Sequence, residues 1–579
     1  MSVHQHEELD TIVQDLLTTG TLPGTWHRLS TVSRAYEKRG VLTGVEGKVL
    51  VDTITITIVI GFRASFPLSL PLIFLAPYDA VGFVPHVDED GYICYVRGDG
   101  QFINYHDPAA IVRDALSRAI ATITQGYLGE NIADFVDGFA EYWGRLQGTV
   151  VEMSLVTPGE VLRKIVQATA APGKKDSTNY FADSEQTIRS LTFSLKKETF
   201  TTRSALYIPL EPTALLLPPR YGTMWSLKEI QNLVQTHTSA VTKAEIPKQA
   251  NKWKTVESVV FGLPRPSGGW VKFGMRFTGV QGGHPLVAGS SVKKIIPISL
   301  QRLDQEYLMT RGGSDAGLRS KHVAVVGCGS VGATIAIELA RSGVGRLTLI
   351  DDDILTPENT FRHPVGYYRI GSKKVSALVA DMELRVPYVK VTALPVRIET
   401  LMRTKKLSWS KYDLIVVATG EPTVNLYINE SLQEQKDNPP AVFAWLDPYG
   451  IGGHAMLQQV GQPGCLQCLY EFTEEGHLRN RASFAESGQS FLKDIAGCGS
   501  LFTPFGALDV VHTAQLAVRM TITALSGKAT NQIISWKGDA TTFVSQGYRL
   551  AARYDHDEQM LEAQRTDFKR IDCSVCRGT

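Results

Sequence analysis

Seven cysteines are the residues of this 579-residue chain whose spacing points most directly to chemistry. Four of them form two C-x₂-C pairs, Cys465 with Cys468 and Cys573 with Cys576. Two such pairs supply the four thiolates of a closed, tetrahedral structural zinc site, in which no coordination position is left for water. The alternative is two separate redox or incidental pairs. A zinc ion at this site would join two segments that are far apart in the sequence.

Cys94 and Cys498 are two further cysteines, and the small residues around Cys498 would leave its thiol accessible. Cys94 follows Gly91-Tyr92-Ile93, and Cys498 lies among small residues before the apolar, helix-like stretch Ala507–Leu525. The positive end of a helix after Cys498 would favour the nucleophilic thiolate form of this cysteine. A small, buried cysteine at a helix start is the alternative for Cys498. Cys328 lies inside a glycine turn and is interpreted as a packing residue.

The glycine turn Gly327-Cys328-Gly329-Ser330-Val331-Gly332 connects a predicted strand at His322–Val326 to a predicted helix at Ala333–Ser342. The three glycines would allow a tight turn, the close approach of a phosphate and close helix–strand packing. The helix N-terminus would also attract an anion. The motif alone fits NAD, FAD or ATP, and a turn without a ligand is the alternative. Asp351, at the end of the next predicted strand, has the usual position of a ribose-binding carboxylate.

Polar and cationic residues downstream favour ATP over a nicotinamide cofactor. Asn359, Arg362 and Lys374 would meet the charge that develops when ATP is cleaved between its α- and β-phosphates. With the glycine turn, this segment resembles the adenylation domain of ubiquitin-activating (E1) enzymes, which also occurs in molybdopterin and thiamine biosynthesis. The resemblance implies that this domain binds ATP and adenylates the C-terminal carboxylate of a small protein. The residues that it implies for this role are Gly327, Gly329, Gly332, Asp351, Asn359, Arg362 and Lys374.

The resemblance also bears on the metal and on the cysteines. The family's aspartate that is thought to hold Mg²⁺ falls at Gly420, and Glu421, one residue along, could take its place. E1-like proteins carry paired cysteine knuckles in the same two regions, which favours Zn²⁺. Atypical E1 enzymes keep their thioester cysteine just before the helix that corresponds to Ala507–Leu525, which favours Cys498 as the E1 nucleophile.

A second resemblance concerns residues 66–95. Phe66-Pro67, Val84-Pro85-His86 and Gly91-Tyr92-Ile93-Cys94 resemble the Y-P, H-P-N and G-x-I-C motifs of ubiquitin-conjugating (E2) domains. The resemblance implies that Cys94 carries a thioester. His86 replaces the family's asparagine, which stabilises the oxyanion. It could donate the same hydrogen bond or act as a base toward the incoming amine, and a purely bracing role is the alternative.

The carboxylates between His86 and Cys94 are predicted to be solvated. Asp88 and Asp90 lie in a polar loop, Asp88-Glu89-Asp90-Gly91. The alternative for either residue is that it desolvates or orients the acceptor lysine.

Patterns along the chain predict the elements that position these residues. An α/β, E2-like domain is predicted at residues 1–150, a linker or interaction domain without a chemical motif at 151–300, and an E1-like domain at 301–579. Strands that alternate with helices after residue 301 predict a doubly wound, Rossmann-like and largely parallel sheet. The other expected elements are strands at Val51–Ile58, Arg346–Ile350, Asp413–Ala418 and Ala441–Leu446, and helices at His6–Leu17, Ala109–Ile123, Asn131–Leu146 and Val375–Leu384.

Composition limits the class of protein. The chain has 59 Lys+Arg and 58 Asp+Glu, a net charge of +1, and 43% hydrophobic residues, which describes a globular protein without a basic, nucleic-acid-binding surface. It has no apolar run of the roughly 18 residues that a membrane span needs. Met1–Asp10 carries no signal-peptide core, and an odd cysteine count favours reduced thiols. We therefore expect a cytoplasmic protein without nucleic-acid or membrane partners.

The order of the domains resembles the bacterial E2–E1 fusion enzymes of CBASS antiphage operons. The implied partner is a cGAS-like nucleotidyltransferase (CD-NTase) or another ubiquitin-like protein, whose adenylated C-terminal glycine passes to Cys498, then to Cys94 and finally to a lysine amine. E1-like adenylation domains usually dimerise, which implies a homodimer. The alternatives are an NAD-dependent oxidoreductase, which leaves Asn359, Arg362 and Cys94 unexplained, and a non-catalytic scaffold, which leaves Cys94 and Cys498 without a role.

Overall fold

The computed structural model describes residues 3–96, 102–170, 178–191, 200–250, 252–474, 478–493 and 502–576, except for the side chains of residues 3–8 and 190. The predicted nucleophile Cys498 therefore lies outside the described residues. The chain divides into two compact units, one of residues 1–183 with 200–301 and one of residues 184–199 with 302–579. No helix in the described part of the chain is both long and apolar enough to cross a membrane.

The first 150 residues form a four-stranded antiparallel sheet with helices packed on it. The strands follow the order β1-β2-β3-β4. Leu9 and Val13 of the first helix and Val112 and Leu116 of the third are buried in the same core as the sheet. The elements are α1 (Val3–Thr18), β1 (Trp26–Arg28), α2 (Arg34–Lys38), β2 (Thr43–Val51), β3 (Ile54–Phe62), β4 (Leu72–Ala76), α3 (Pro108–Tyr127), α4 (Asp134–Asp137) and α5 (Phe139–Gly144).

Two predictions in this region are wrong in the same way, because each expected element is in fact two. The alternating run Val51–Ile58 spans the end of β2, a turn at Asp52-Thr53 and the start of β3. Asp52 takes a left-handed backbone conformation there, with φ of 50°, and this reverses the chain. The expected helix Asn131–Leu146 is broken into α4 and α5 at Gly138.

Residues 150–302, for which the sequence indicated only a linker or interaction domain, form a closed seven-stranded barrel. Its strand order is β10-β11-β5-β7-β6-β8-β9. The apolar positions of its central strands, such as Val259, Phe261 and Phe273, are buried. The elements in this part of the chain are β5 (Val150–Leu155), β6 (Arg163–Ala170), β7 (Thr178–Ala182), α6 (Glu185–Leu191), which belongs to the second unit, β8 (Phe200–Pro209), α7 (Leu227–His237), α8 (Ala240–Gln249), β9 (Val256–Pro264), β10 (Trp270–Thr278) and β11 (Lys294–Arg302).

The barrel shares a hydrophobic core with the end of the preceding sheet domain. Trp143 of α5 is buried, and its indole Nε1 donates to the carbonyl oxygens of Gly274 at 3.2 Å and Ile298 at 3.1 Å. The ring of Phe139 lies 4.6 Å from that of Phe273. These aromatic side chains explain why the helix breaks at Gly138, since α5 packs on the barrel.

The second unit contains the doubly wound sheet that the sequence predicts. Its seven strands follow the order β14-β13-β12-β15-β16-β17-β20, and the first five are parallel. The elements are α9 (Gln305–Arg311), β12 (His322–Val326), α10 (Ser330–Arg341), β13 (Arg346–Ile350), α11 (Lys374–Arg385), β14 (Lys390–Leu394), α12 (Ile398–Arg403), β15 (Leu414–Val417), α13 (Pro422–Gln433), β16 (Ala441–Leu446), β17 (Gly452–Gln458), β18 (Tyr470–Phe472), β19 (Leu478–Asn480), α14 (Ala507–Leu525), β20 (Gln532–Lys537), α15 (Thr541–Ser545) and α16 (Glu558–Ala563).

Candidate functional sites

The glycine turn lies between β12 and α10, and its three glycines differ in what surrounds them. Gly327 has φ of 82°, and a Cβ there would lie 2.7 Å from backbone atoms of Ala418 and Thr419. A Cβ on Gly332 would lie 1.9 Å from the carbonyl oxygen of Gly327. At Gly329, no atom lies within 4 Å of the corresponding position. The outer two glycines are therefore required by packing, whereas Gly329 leaves open space at the N-terminus of α10, where an anion is stabilised.

Asp351 and His363 hold the turn in place. The Asp351 carboxylate accepts from the backbone N–H of Cys328 at 2.7 Å and from that of Asp353 at 2.8 Å. The buried His363 imidazole donates from Nε2 to the Cys328 carbonyl at 3.1 Å. The Cys328 thiol is itself buried, and burial raises its pKa well above the ordinary value, so it is a packing residue as predicted.

A cleft of about 450 Å³ opens beside the turn, at the carboxyl edge of the parallel strands. Among the predicted ATP-binding residues, it is lined by Gly327, Gly329, Asp351 and Lys374. The Lys374 side chain is buried and forms an ion pair with Asp353. Although partial burial opposes it, this contact lowers the pKa of Asp353. The cleft lies where open α/β sheets bind nucleotides.

Asn359 and Arg362 are not among the residues that line this cleft in the described part of the chain. The Asn359 side chain accepts from the backbone N–H of Thr356 at 3.1 Å and so caps a short 3₁₀ turn. The Arg362 guanidinium lies 4.5 Å from the centre of the Phe505 ring. Its Nε is buried without a hydrogen-bond partner among the described residues, and burial lowers its pKa.

The cleft also contains charged residues that sequence reasoning missed. Lys373 donates to the carbonyl of Asp352, and Arg397 donates to the Asp352 carboxylate at 3.2 Å. Glu399 also lines the cleft and was missed, whereas Glu421, which lines it too, was already suggested by the sequence. Arg397 and Glu399 follow the end of β14, and a rule that collects polar residues after each parallel strand would have found them.

Cys94, the second candidate centre, is exposed on a loop that is hydrogen-bonded to its surroundings. Its backbone N–H donates to the His86 carbonyl at 2.8 Å. Gly91 has φ of 85°, and a Cβ there would lie 2.1 Å from the Leu75 carbonyl oxygen. The glycine three residues before the cysteine is therefore required for the loop to pack on β4.

His86 is held in place through both its backbone and its side chain. The residue has a left-handed backbone, with φ of 65°, which is uncommon for a residue other than glycine. The backbone N–H of His86 donates to the Tyr142 hydroxyl at 2.9 Å. The imidazole Nε2 lies 2.8 Å from the Asp134 carboxylate. Hydrogen bonding with the Cys94 thiol raises the pKa of His86, and Asp134 adds to this rise, while burial opposes it.

Asp88 and Asp90 are not solvated, contrary to the sequence-based expectation. Their side chains are only 13% and 17% exposed. Arg39 forms ion pairs with both carboxylates, and Arg145 forms one with Asp88. Their charges are therefore neutralised by arginines that are distant in sequence, and the pairs fix the loop that precedes Cys94.

The four predicted zinc ligands come together in the second unit. All four cysteines are buried, and their sulfur atoms lie within 4.8 Å of one another. Sγ of Cys465 is 3.7 Å from that of Cys573, and Sγ of Cys468 is 3.6 Å from that of Cys576. A disulfide would need about 2.05 Å, whereas a tetrahedral zinc with bonds of about 2.3 Å places its sulfurs roughly 3.7 Å apart. The arrangement of the four sulfur atoms therefore fits a metal ion. Asn429, which the sequence did not suggest, donates from Nδ2 to the Cys465 sulfur at 3.7 Å, as residues around a metal ligand commonly do.

Comparisons with known proteins match the two regions of the chain that contain these candidate centres. Residues 307–565 match the ThiF family, and residues 30–151 match Prokaryotic E2 family B. The chain is 26% identical to the ATP-dependent ubiquitin transferase-like protein Cap2 of Pseudomonas aeruginosa strain BWHPSA011 / Pa011, over 79% of this chain and 83% of that protein. It is 23% identical to the protein of the same description from Escherichia coli strain TW11681, over 76% of this chain and 80% of that protein.

A solved structure, that of E. coli MccB with succinimide, matches with a TM-score of 0.33 and 18% identity, over 47% of this chain and 69% of that chain. The chain joins a prokaryotic E2 domain to a ThiF-family E1 adenylation domain, and it is an E1/E2-type transferase that resembles the E2–E1 fusion enzymes of CBASS operons.

Proposed function

We propose that this enzyme adenylates the C-terminal glycine of a CD-NTase or another ubiquitin-like protein, carries it as a thioester and conjugates it to a lysine amine. The observation that carries this proposal is that one chain holds both a nucleotide-type cleft at a glycine turn and an exposed cysteine beside a histidine. The first matches the ThiF family and the second Prokaryotic E2 family B. An oxidoreductase would have no use for Cys94, and a scaffold would have no use for the cleft.

The ATP would bind with its phosphates at the open space beside Gly329, where the N-terminus of α10 favours negative charge. Asp351 uses lone pairs on both oxygens to hold the turn and retains others for a ribose hydroxyl. Lys374, which is buried in the cleft wall, would stabilise charge on the phosphates. Arg362 does not line the cleft, but its Nε has no hydrogen-bond partner among the described residues and would be a further donor if the side chain turned toward the phosphates.

The donor set of the cleft fits the Mg²⁺ that accompanies ATP. Gly420 has no side chain, whereas Glu421 lines the cleft and supplies carboxylate oxygens, which are ligands that Mg²⁺ prefers. Asp353 and Glu421 are therefore the residues that we propose would hold it. Its bound charge would neutralise part of the triphosphate.

The reaction would proceed by one adenylation step and three acyl transfers. An oxygen of the glycine carboxylate attacks the α-phosphorus, so that a C(=O)O–P bond forms and pyrophosphate leaves. The thiolate of Cys498 then displaces AMP, and Cys94 accepts the acyl group by thioester exchange. Finally the lysine nitrogen attacks the Cys94 thioester, forming the isopeptide bond and releasing the thiol. Two centres on one chain raise the effective concentration for the exchange.

The remaining sequence-based expectations belong to this proposal. The four cysteines would hold a structural Zn²⁺, since their geometry leaves no ligand position for substrate. We also propose the domain division at residues 150 and 300, assembly as a homodimer, and a cytoplasmic location, where ATP is available and thiols stay reduced.

The proposal is tested by exchange of labelled pyrophosphate into ATP. We expect exchange only when a CD-NTase with an intact C-terminal glycine is present, and loss of exchange when that glycine is removed. Lys374→Ala should abolish exchange, whereas Lys406→Ala, which changes an exposed lysine away from the cleft, should not. Exchange that is independent of the partner's C-terminus would contradict adenylation of that carboxylate.

A further inference from the structure

A carboxylate lies behind the histidine that neighbours Cys94. Asp134 is the first residue of α4, forty positions after the cysteine, and its Oδ2 lies 2.8 Å from Nε2 of His86. About two-fifths of the Asp134 side chain is exposed, so the contact is accessible to solvent without being fully solvated. The arrangement thiol–imidazole–carboxylate is that of an activated nucleophile and base, in which the third group orients the second.

The hydrogen bond defines which imidazole nitrogen can work as a base. An ionised carboxylate only accepts hydrogen bonds, so Nε2 must carry the proton that it donates to Asp134. Neutral His86 then has its lone pair on Nδ1. The backbone is fixed as well, because the His86 N–H donates to Tyr142 and its carbonyl accepts from the Cys94 N–H. The ring therefore has a defined tautomer and a defined position.

We propose that Asp134 is a positioning residue that makes His86 the general base for the final transfer from Cys94. This inference rests on the proposed function. The amine of the acceptor attacks the thioester carbonyl, the C–N bond forms and the C–S bond breaks, and the amine proton passes to Nδ1 of His86. Cys94 leaves as a thiolate, which recovers that proton. Asp134 stabilises the imidazolium that forms in between, as an orienting carboxylate does in a catalytic triad.

Among the described residues, the titratable groups that face His86 are Cys94, Asp134 and Tyr142. Burial raises the pKa of Tyr142 to about 12, so this hydroxyl stays neutral. Hydrogen bonding with Cys94 and with Asp134 raises the pKa of His86 above 6.5. A base acts when it is unprotonated, so transfer per neutral amine should rise with pH through the pKa of His86, which Asp134 raises and which the thiol no longer influences once Cys94 carries the acyl group. If His86 were instead an oxyanion donor in its protonated form, transfer would fall over the same range.

The test bypasses ATP and the E1-like domain, so that its outcome is independent of adenylation. In the full-length Cys498→Ala protein, Cys94 is acylated by a synthetic Gly-Gly peptide thioester, and loading is verified by intact mass. Aminolysis by free lysine is then followed from pH 6 to pH 9, and each rate is divided by the concentration of neutral amine, because the ammonium form, with a pKa of about 10.4, does not attack. We expect Asp134→Asn to lower the high-pH plateau rate at least about tenfold, since a general base contributes about 10²–10⁴-fold. The midpoint should also move to lower pH.

Three comparisons separate positioning from a merely structural effect. Asp134→Glu should restore part of the rate, and Glu141→Gln, which removes an exposed carboxylate from neighbouring α5, should match the parent. In a His86→Ala background, Asp134→Asn should have no further effect on aminolysis, because Asp134 acts only through the imidazole. A slowing of the same size in that background, or an unchanged pH midpoint, would overturn the proposal. Thermal unfolding of each variant confirms that it is folded.

Discussion

Replacing single glycines of the turn by alanine should separate folding from nucleotide binding. In Gly332→Ala, the new methyl group would lie 1.9 Å from the Gly327 carbonyl oxygen. Carbon and oxygen normally approach no closer than about 3.3 Å, so the backbone must move by more than about 1 Å. Overpacking of this kind costs roughly 3 kcal/mol, which corresponds to a fall in Tm of about 6–12 °C for a unit of this size.

Gly329→Ala should behave in the opposite way. Its backbone has an ordinary φ of −68°, and no atom lies within 4 Å of the added Cβ. The fold should therefore tolerate the methyl group, with Tm within about 2 °C of the parent. The methyl group occupies the space proposed for a phosphate, so affinity for ATP should fall at least about tenfold, or about 1.4 kcal/mol.

Calorimetric unfolding and ATP titration of the full-length protein measure both quantities. Gly159→Ala is the matched control, because its Cβ also meets no atom within 4 Å and it lies in the barrel region, away from the cleft. It should alter neither Tm nor ATP affinity. If Gly329→Ala binds ATP as the parent does, the phosphates do not lie at this turn, and the proposed nucleotide site is wrong.

Three further predictions concern other parts of the molecule. Cys576→Ser should remove one bound zinc per chain, as measured by elemental analysis. It should also lower the Tm of the E1-like unit by about 10 °C or more. An unchanged zinc content would contradict the four-cysteine site. Tyr221→Phe removes the 3.0 Å hydrogen bond to the Val87 carbonyl, so urea unfolding should show a loss of about 0.5–1.5 kcal/mol, and no loss would show that this contact is unimportant. The pKa of His86 is raised in the folded state, so its pairing with Asp134 stabilises the protein below pH 6.5. This stabilisation is lost as the pH rises through the folded-state pKa. Asp134→Asn should therefore lower Tm at pH 6 and have less effect at pH 9.

Residues that act through local spacing could be predicted from the sequence. The strands His322–Val326 and Arg346–Ile350 and the helix Ala507–Leu525 have the predicted bounds, because apolar runs and flanking glycines define them. The C-x₂-C pairs likewise indicated their joint site before their 3.6–3.7 Å sulfur distances were known. In these cases the chemistry depends on residues that are close in sequence or on a motif with one common use.

Contacts between distant segments could not be predicted in this way. Asp134 reaches His86 across 48 positions, and nothing in the composition of either segment pairs them. Asp88 looked solvated because its own loop is polar, yet Arg39 and Arg145 come from other elements. The barrel was missed because its strands lack a motif and close only through long-range pairing. These features depend on tertiary packing, which overrides local pattern.

In the proposed reaction, the free energy of ATP cleavage is conserved in a thioester on Cys94. The most direct measurement is peptide mass mapping of the full-length protein after incubation with ATP and a CD-NTase that carries its native C-terminus. We expect an adduct on the Cys94 peptide equal to the partner's C-terminal peptide minus one water. It should be removed by dithiothreitol and absent without ATP or in Cys498→Ala. A Cys94 adduct that forms without ATP, or pyrophosphate release with no adduct on Cys94, would contradict the account.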